Sequence, residues 1–249
     1  MAVTELLYPQ RNAKKQLELC TKPEVENPIE PIENLFRFSR LNDQQKEKPF
    51  QFLLKRAIDI VGTCIGLLMI APLLLIIAAA IKMETKGPVF FKQKRVGKHG
   101  KEFYMYKFRS MYLNSEERLK DLKKYNQTND YMFKMLNDPR VTKVGQFIRK
   151  YSLDELPQLI NVLKGEMTLV GFRPPLMDEV RKYKNWHYLR FSGMPGLTGP
   201  WQVSGRSSIK NFDIVVKLEY EYNKNWNILK DIVILFKTVP IVIFGKDAA

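Results

Sequence analysis

The chain has 249 residues, 45% of them hydrophobic, and carries 41 Lys and Arg against 26 Asp and Glu, a formal net charge of +15. That length and apolar content suffice for a core, which excludes a wholly disordered tail, while the cation excess points to anionic surroundings: nucleic acid, phosphate-bearing substrates or an acidic membrane face. Cys20 and Cys64 stand far apart and His99 and His187 form no ligand cluster, which excludes a disulfide framework and a zinc hydrolase.

Residues 1–49 mix charges with Pro9, Pro23, Pro28, Pro31 and Pro49 and hold no apolar run of signal-peptide type. They read as a loosely ordered polar arm, with a short helix near Leu17 or Phe36 left open, and the catalytic part is expected to face the cytoplasm. From Ile60 to Ile81 no residue is charged, a length of roughly 33 Å as helix, enough to cross a bilayer core. Two features favour a re-entrant helix-break-helix over 50–82 instead. Pro72 lies at the centre, where it removes an amide donor and predicts a sharp kink. Lys55 and Arg56 precede the segment while Lys82, Lys86, Lys92, Lys94 and Arg95 follow it, so positive charge marks both ends as cytoplasmic. Asp59, one turn inside, calls for a partner, with Lys55 or Arg56 nearest in sequence.

Val89–Lys94 and Phe103–Met111 read as two strands around a turn at Gly97, Lys98, His99 and Gly100. Alternation puts Lys107 and Arg109 on one face of the second strand, either to meet phosphates or as a solvated hairpin surface. Helical patterns follow at Glu116–Tyr125 and Leu156–Leu163. The stretch Tyr183–Phe191 mixes Trp186, Tyr188 and Phe191 with Lys184 and Arg190, a composition suited to lipid headgroups or to an ordinary amphipathic surface helix. Ile228–Val239 repeats apolar residues at helical spacing, broken by Lys230, Asp231 and Lys237, the pattern of an interfacial helix.

The segment Arg149–Leu163, RKYSLDELPQLINVL, sets adjacent carboxylates Asp154 and Glu155 between a basic pair and an apolar helix. Ser152 with Glu155 fits a capping box, although Pro157 belongs in a first helical turn and moves the cap toward Asp154. Alternatively, a carboxylate kept ionised by Arg149 and a helix N-terminus can attack phosphorus, its neighbour holding a divalent metal. From these residues alone capping and catalysis are equally open.

The segments KRAIDIVG, GPVFFKQKRVGKHG, YKFRSM, DPRVTKVG, SLDELPQLINVLKGEMTLVG and PGLTGPWQVSGR resemble the bacterial polyprenyl-phosphate sugar-phosphate transferases, the monotopic phosphoglycosyl transferases, from about Lys55 to Lys237. The resemblance implies an α+β, predominantly helical fold: a monotopic membrane protein with a re-entrant helix-break-helix, a small β-hairpin and interfacial amphipathic helices, its cytoplasmic catalytic domain at 83–249. It implies an enzyme moving a sugar 1-phosphate from a nucleotide diphosphate-sugar, usually a UDP-sugar, to polyprenyl (undecaprenyl) phosphate on the inner membrane, initiating capsule, exopolysaccharide or glycoconjugate assembly. Asp154 resembles the nucleophile that forms an aspartyl phosphosugar with release of UMP, Glu155 the ligand of Mg2+, and Arg149 an active-site arginine. Lys107, Arg109, Arg173, Pro174, Gly199 and Arg206 are expected to bind substrate, and Glu219, where the family commonly has aspartate, to help hold the metal. Lys55, Arg56, Asp59 and Pro72 are expected to anchor the membrane segment. Phe172 departs from the family's Gly-Pro-Arg-Pro turn. Expected partners are anionic lipid, further copies of the chain and other polysaccharide-assembly enzymes, and not nucleic acid; the short arm suggests a near-minimal catalytic form.

Overall fold

A computed structural model describes residues 32–43, 48–115, 135 and 138–244. Helix α1 (Ile32–Leu41) precedes the long helix α2 (Pro49–Glu84), and a hairpin of β1 (Phe90–Val96) and β2 (Glu102–Phe108) follows. Next come α3 (Lys143–Lys150), a 3-10 segment at Leu153–Gln158 and α4 (Leu159–Lys164). Strands β3 (Thr168–Val170) and β4 (Gly196–Thr198) pair in parallel, enclosing α5 (Met177–Val180) and a 3-10 segment at Asn185–Ser192. Helices α6 (Pro200–Val203), α7 (Phe212–Lys224) and α8 (Ile228–Phe244) complete the order, so the fold is α+β and predominantly helical.

The part of the N-terminal arm that is described is not loose. Phe36 of α1 is buried and packs edge-on against Tyr188 and Phe191, both at 5.1 Å between ring centroids. Its ring lies where a side chain on Gly100 would stand, 2.6 Å from an added Cβ, which explains glycine at that turn position. Beyond α1, Asp43 accepts from Lys98 and faces the His99 ring, tying the arm to the hairpin turn. Leu17 and the pattern at Glu116–Tyr125 lie outside the described residues.

Helix α2 runs 36 residues, roughly 54 Å, and continues through Pro72. The expected division into two helices is not seen: proline deletes one amide donor, and the apolar turns on either side keep their own bonds. Near its start Lys55, Asp59 and Thr63 are buried, and near its end Ile77 and Ile81, whereas Leu68 and Met69 between them are exposed. Both ends therefore pack against the same body. Asp59 accepts from the Thr168 hydroxyl at 2.5 Å and the Leu169 amide at 3.1 Å, with Lys55 at 3.8 Å as the sequence suggests.

The hairpin is antiparallel, with Phe90 opposite Phe108 and Val96 opposite Glu102. Its second strand ends at Phe108, earlier than expected, and Met111 forms a separate bridge to Val141. Tyr183–Phe191 is not a headgroup-level surface. His187, Tyr188, Leu189, Arg190, Phe191 and Ser192 are all buried, and the aromatic rings build the core with Phe172 and Phe212. Phe172, in place of a proline, fills this core against Phe191.

Helix α8 buries a carboxylate beside Ile234 and leaves apolar residues outward. Inward, Asp231 accepts from Lys55 at 2.6 Å, Tyr222 at 2.5 Å and Trp226 at 3.1 Å; outward, Leu229, Phe236, Ile243 and Phe244 are exposed. Phe52 of α2 stacks on Trp226 at 4.4 Å, so α2, α7 and α8 meet around this buried carboxylate.

Candidate active site

Asp154 and Glu155 sit in the 3-10 segment that follows α3, reached through Ser152, whose left-handed backbone has φ 56°. No capping box forms. The Glu155 amide bonds the Ser152 carbonyl, the Ser152 hydroxyl accepts from Arg206 at 3.3 Å, and neither acid side chain caps a helix. A left-handed serine costs of order 1–3 kcal/mol and is retained where surrounding contacts fix the turn.

The two carboxylates are held in opposite electrostatic states. Glu155 accepts from Lys107 at 2.7 Å and faces Arg173 at 3.4 Å. Burial alone would raise its pKa, but Lys107, Arg173 and Arg206 together hold it well below the ordinary carboxylate range. Asp154 is pushed up to about 6 by burial, with Glu155 adding to the rise and Lys107, Arg149 and Arg173 opposing it. Among the described residues none donates a hydrogen bond to the Asp154 carboxylate, so its lone pairs stay uncommitted. Arg149, in the last turn of α3, has a buried Nη1 without a hydrogen-bond partner. Such an orphan donor beside an acid is placed to take a phosphate oxygen.

Both acids line a cavity of about 1430 Å³. Lys107, Arg149, Arg173, Pro174 and Arg206 share its wall, so the structure brings most of the expected residues together. The wall also includes Leu235, Val239, Val242 and Ile243 of α8, so the exposed apolar surface of that helix, Val239 and Ile243 among it, runs on to the cavity rim. Arg173 lies 5.7 Å from the Trp201 ring, and the Trp201 indole donates to the Arg206 carbonyl, linking the two arginine loops.

Three expected residues do other work. Arg109 borders the cavity, but its terminal nitrogens donate to the Lys86 carbonyl and to the Thr85 carbonyl and hydroxyl, stapling the end of α2 to β2. Gly199 approaches backbone rather than ligand, since a Cβ there would lie 1.8 Å from the Gly171 carbonyl oxygen. Glu219 is fully buried; Arg190 contacts both its oxygens at 3.0 and 2.7 Å, and the Arg173 amide donates to it at 3.2 Å. A metal role does not suit a carboxylate so occupied, and it acts as the prop behind the Arg173 loop. Burial raises its pKa despite Arg190. Of the expected anchors, Lys55 and Asp59 are buried in polar contacts, Pro72 lies inside α2, and Arg56 donates to the Val162 and Leu163 carbonyls.

Sequence reasoning passed over Asp138 and Arg140, a bidentate pair at 2.9 and 2.6 Å on the cavity wall. It also passed over Arg95, which donates to the Pro174 carbonyl and is lowered to about 10 by burial and by Arg173. The spacing in DPR and the run KRVG were the available signals.

Residues 50–245 match the family described as Bacterial sugar transferase. The chain is 48% identical over 194 residues to Galactosyl transferase CpsE of Streptococcus agalactiae serotype III (strain NEM316), covering 78% of this chain and 43% of that protein. It is 44% identical over 218 residues to Undecaprenyl-phosphate galactose phosphotransferase of Salmonella typhimurium (strain LT2), covering 84% and 44%. With Exopolysaccharide production protein ExoY of Rhizobium meliloti (strain 1021) it shares 38% identity over 205 residues, covering 81% and 90%. The match thus spans less than half the length of the first two relatives and most of the third. The chain belongs to the bacterial sugar transferase family.

Proposed function

We propose that the chain transfers a sugar 1-phosphate from a nucleotide diphosphate-sugar, a UDP-sugar first among them, to undecaprenyl phosphate at the cytoplasmic face of the bacterial inner membrane, opening assembly of an exopolysaccharide, capsule or glycoconjugate. The observation that carries this reading is an uncommitted, buried Asp154 beside a fixed, ionised Glu155 in a cavity ringed by Lys107, Arg149, Arg173 and Arg206. The names of the relatives, which include undecaprenyl-phosphate sugar phosphotransferases, support the acceptor.

In the first half-reaction an ionised Asp154 oxygen attacks the phosphorus that bears the sugar. The aspartyl O–P bond forms as the P–O bond to the nucleoside monophosphate breaks, and the leaving UMP takes that electron pair. In the second, a polyprenyl phosphate oxygen attacks the same phosphorus and returns the carboxylate. Arg149 and Arg173 would neutralise the equatorial oxygens during these in-line displacements. Among the described residues no three acids, histidines or cysteines gather as a metal cage. Magnesium is nevertheless held through one or two acids together with substrate phosphates, so Glu155, whose contacts with Lys107 and Arg173 both fall on Oε1, would hold it beside the attacking Asp154. The ion would supply charge neutralisation on the pyrophosphate.

The membrane reading rests on α2 and α8. Both ends of α2 contact one globular body, which supports a re-entrant helix over a span, and the bare face of α8 suits an interfacial seat.

The test uses purified protein, magnesium, a panel of UDP-sugars and undecaprenyl phosphate. The unaltered chain should release UMP, while Asp154→Asn should release none and form no phosphosugar adduct. Undiminished release from Asp154→Asn would remove that residue from the nucleophile role.

A further inference from the structure

The acid pair sits on a weak local scaffold. Leu153–Gln158 is a single 3-10 segment, entered through a left-handed serine and lacking a side-chain cap of its own. Lys107 of β2 and Arg173 hold Glu155, Arg206 bonds Ser152, and the ends of the segment are set by α3 before it and α4 after it.

Each of these short helices is finished by a side chain from α2. At the start of α3, the Lys143 amide donates to Glu84 Oε1 at 2.7 Å and the Val144 amide to Glu84 Oε2 at 3.0 Å. Thr142 takes the Gly145 amide through its hydroxyl at 2.9 Å and the Gln146 amide through its carbonyl at 2.8 Å. The N-terminal amides of α3 are thereby satisfied, two of them by a carboxylate from another helix, whose negative charge also suits that end of the helix dipole. At the far end of α4, where Gly165 turns left-handed at φ 76°, Arg56 donates to the Val162 carbonyl at 2.5 Å and the Leu163 carbonyl at 2.9 Å. A guanidinium fork there takes the Leu163 carbonyl, shares the Val162 carbonyl with the Gly165 amide, and carries the sign that end prefers. Between the two clasps, Ile77 and Ile81 of α2 pack with Ile148 of α3 and with Leu153, the residue before Asp154.

We propose that α2 is a positioning element for the reaction, and that Glu84 and Arg56 are its positioning residues, gripping the Lys143–Leu163 stretch from both ends so that Arg149, Asp154 and Glu155 keep their mutual geometry. The proposal rests on the transfer reaction assigned above. It gives the membrane helix a second task besides anchorage: whatever strains α2 in the bilayer is passed to the acid pair. Neither residue touches the cavity, so substrate affinity should be largely spared while the chemical step suffers, since displacements on the order of 1 Å from remote changes can cost about 100-fold.

The experiment compares the full chain in lipid nanodiscs with Glu84→Ala, Arg56→Ala, the near-isosteric Glu84→Gln and Arg56→Lys, and Met83→Ala as a control on the exposed face of α2. Initial rates of UMP release give kcat and KM, and hydrogen exchange reports the amides of 143–146 and 165–167. We expect the alanine variants to lose at least about tenfold in kcat with KM within about threefold, Arg56→Lys and Glu84→Gln to recover part of that loss, and Met83→Ala to match the unaltered chain. Exchange should quicken at 143–146 in Glu84→Ala and at 165–167 in Arg56→Ala, and at neither in Met83→Ala. Unchanged kcat in both alanine variants overturns the proposal, as does a rise in KM at constant kcat. If the alanine variants fail to fold, the isosteric pair decides, and an unaltered kcat in both counts against it. If the unaltered chain releases no UMP, the transfer reading fails by itself, and the exchange data still judge the clasps: equal exchange in all variants overturns them.

Discussion

At the scale of single residues, the proposed transfer turns on Asp154 being ionised when it attacks. Burial pushes its carboxyl up to about 6, above the ordinary aspartate value, so the reactive form is lost as pH falls through about 6 and not near 4. UMP release should therefore show an acid limb centred near pH 6. Lys107 is the foremost cation opposing the rise, so Lys107→Met should move that limb to higher pH; a limb unmoved by the substitution would mean that some other group sets it. The adjacent acids behind a basic pair could be picked out in the sequence, because such pairs are few enough to enumerate, but whether they cap a helix or react was left open there. The roles of Arg109, Gly199 and Glu219 were not legible, since each is defined by a partner far away in the chain: the carbonyl of Thr85, the carbonyl of Gly171 and the guanidinium of Arg190. An arginine bonded to carbonyls and an arginine awaiting phosphate look alike until the fold is known.

Among the elements, packing is tightest where polar groups are enclosed or backbones touch. Lys55 and Asp231 are both buried and lie 2.6 Å apart, with Tyr222 and Trp226 completing the carboxylate's bonds. Removing one partner leaves an uncompensated charge, so Asp231→Ala should cost about 3–5 kcal/mol. Lys55→Met combined with Asp231→Leu should cost less than either single change, read from thermal unfolding in detergent; simple additivity would show that the pair is not a unit. The β3–β4 pairing makes a second demand. Alanine at Gly199 would set a Cβ 1.8 Å from a backbone oxygen that has little room to retreat, and Gly199→Ala should lose about 3 kcal/mol or more. An unfolding temperature equal to that of the unaltered chain would contradict this. The hairpin and the apolar character of α8 could be read from period and turn residues. The segment around Tyr188 could not, because a 3-10 run surrounded by protein buries consecutive residues and erases the one-sided pattern on which such reading depends.

For the whole molecule, the decisive relation is between α2 and the body that carries the acids. Asp59 is bonded to Thr168 and Leu169 near one end, and Ile77 and Ile81 pack with Phe108 and Ile148 near the other. If α2 crossed the bilayer its two ends would lie on opposite faces, and one of them would have to leave this body. Freeing the first exposes a carboxylate to hydrocarbon without its donors, at a cost of several kcal/mol, and freeing the second removes two buried isoleucines worth about 1.5–3 kcal/mol each. The Glu84 and Arg56 clasps would add to either penalty. Both ends of α2 should therefore lie on the cytoplasmic side, with only the stretch around Leu68 and Met69 immersed. In a background carrying Cys20→Ser and Cys64→Ser, Lys48→Cys and Lys86→Cys should each resist a membrane-impermeant maleimide applied from the periplasm and react once the inner membrane is opened. Labelling of one site and not the other in intact spheroplasts would establish a span, and the contacts at one end of α2 would then have to be broken in the bilayer.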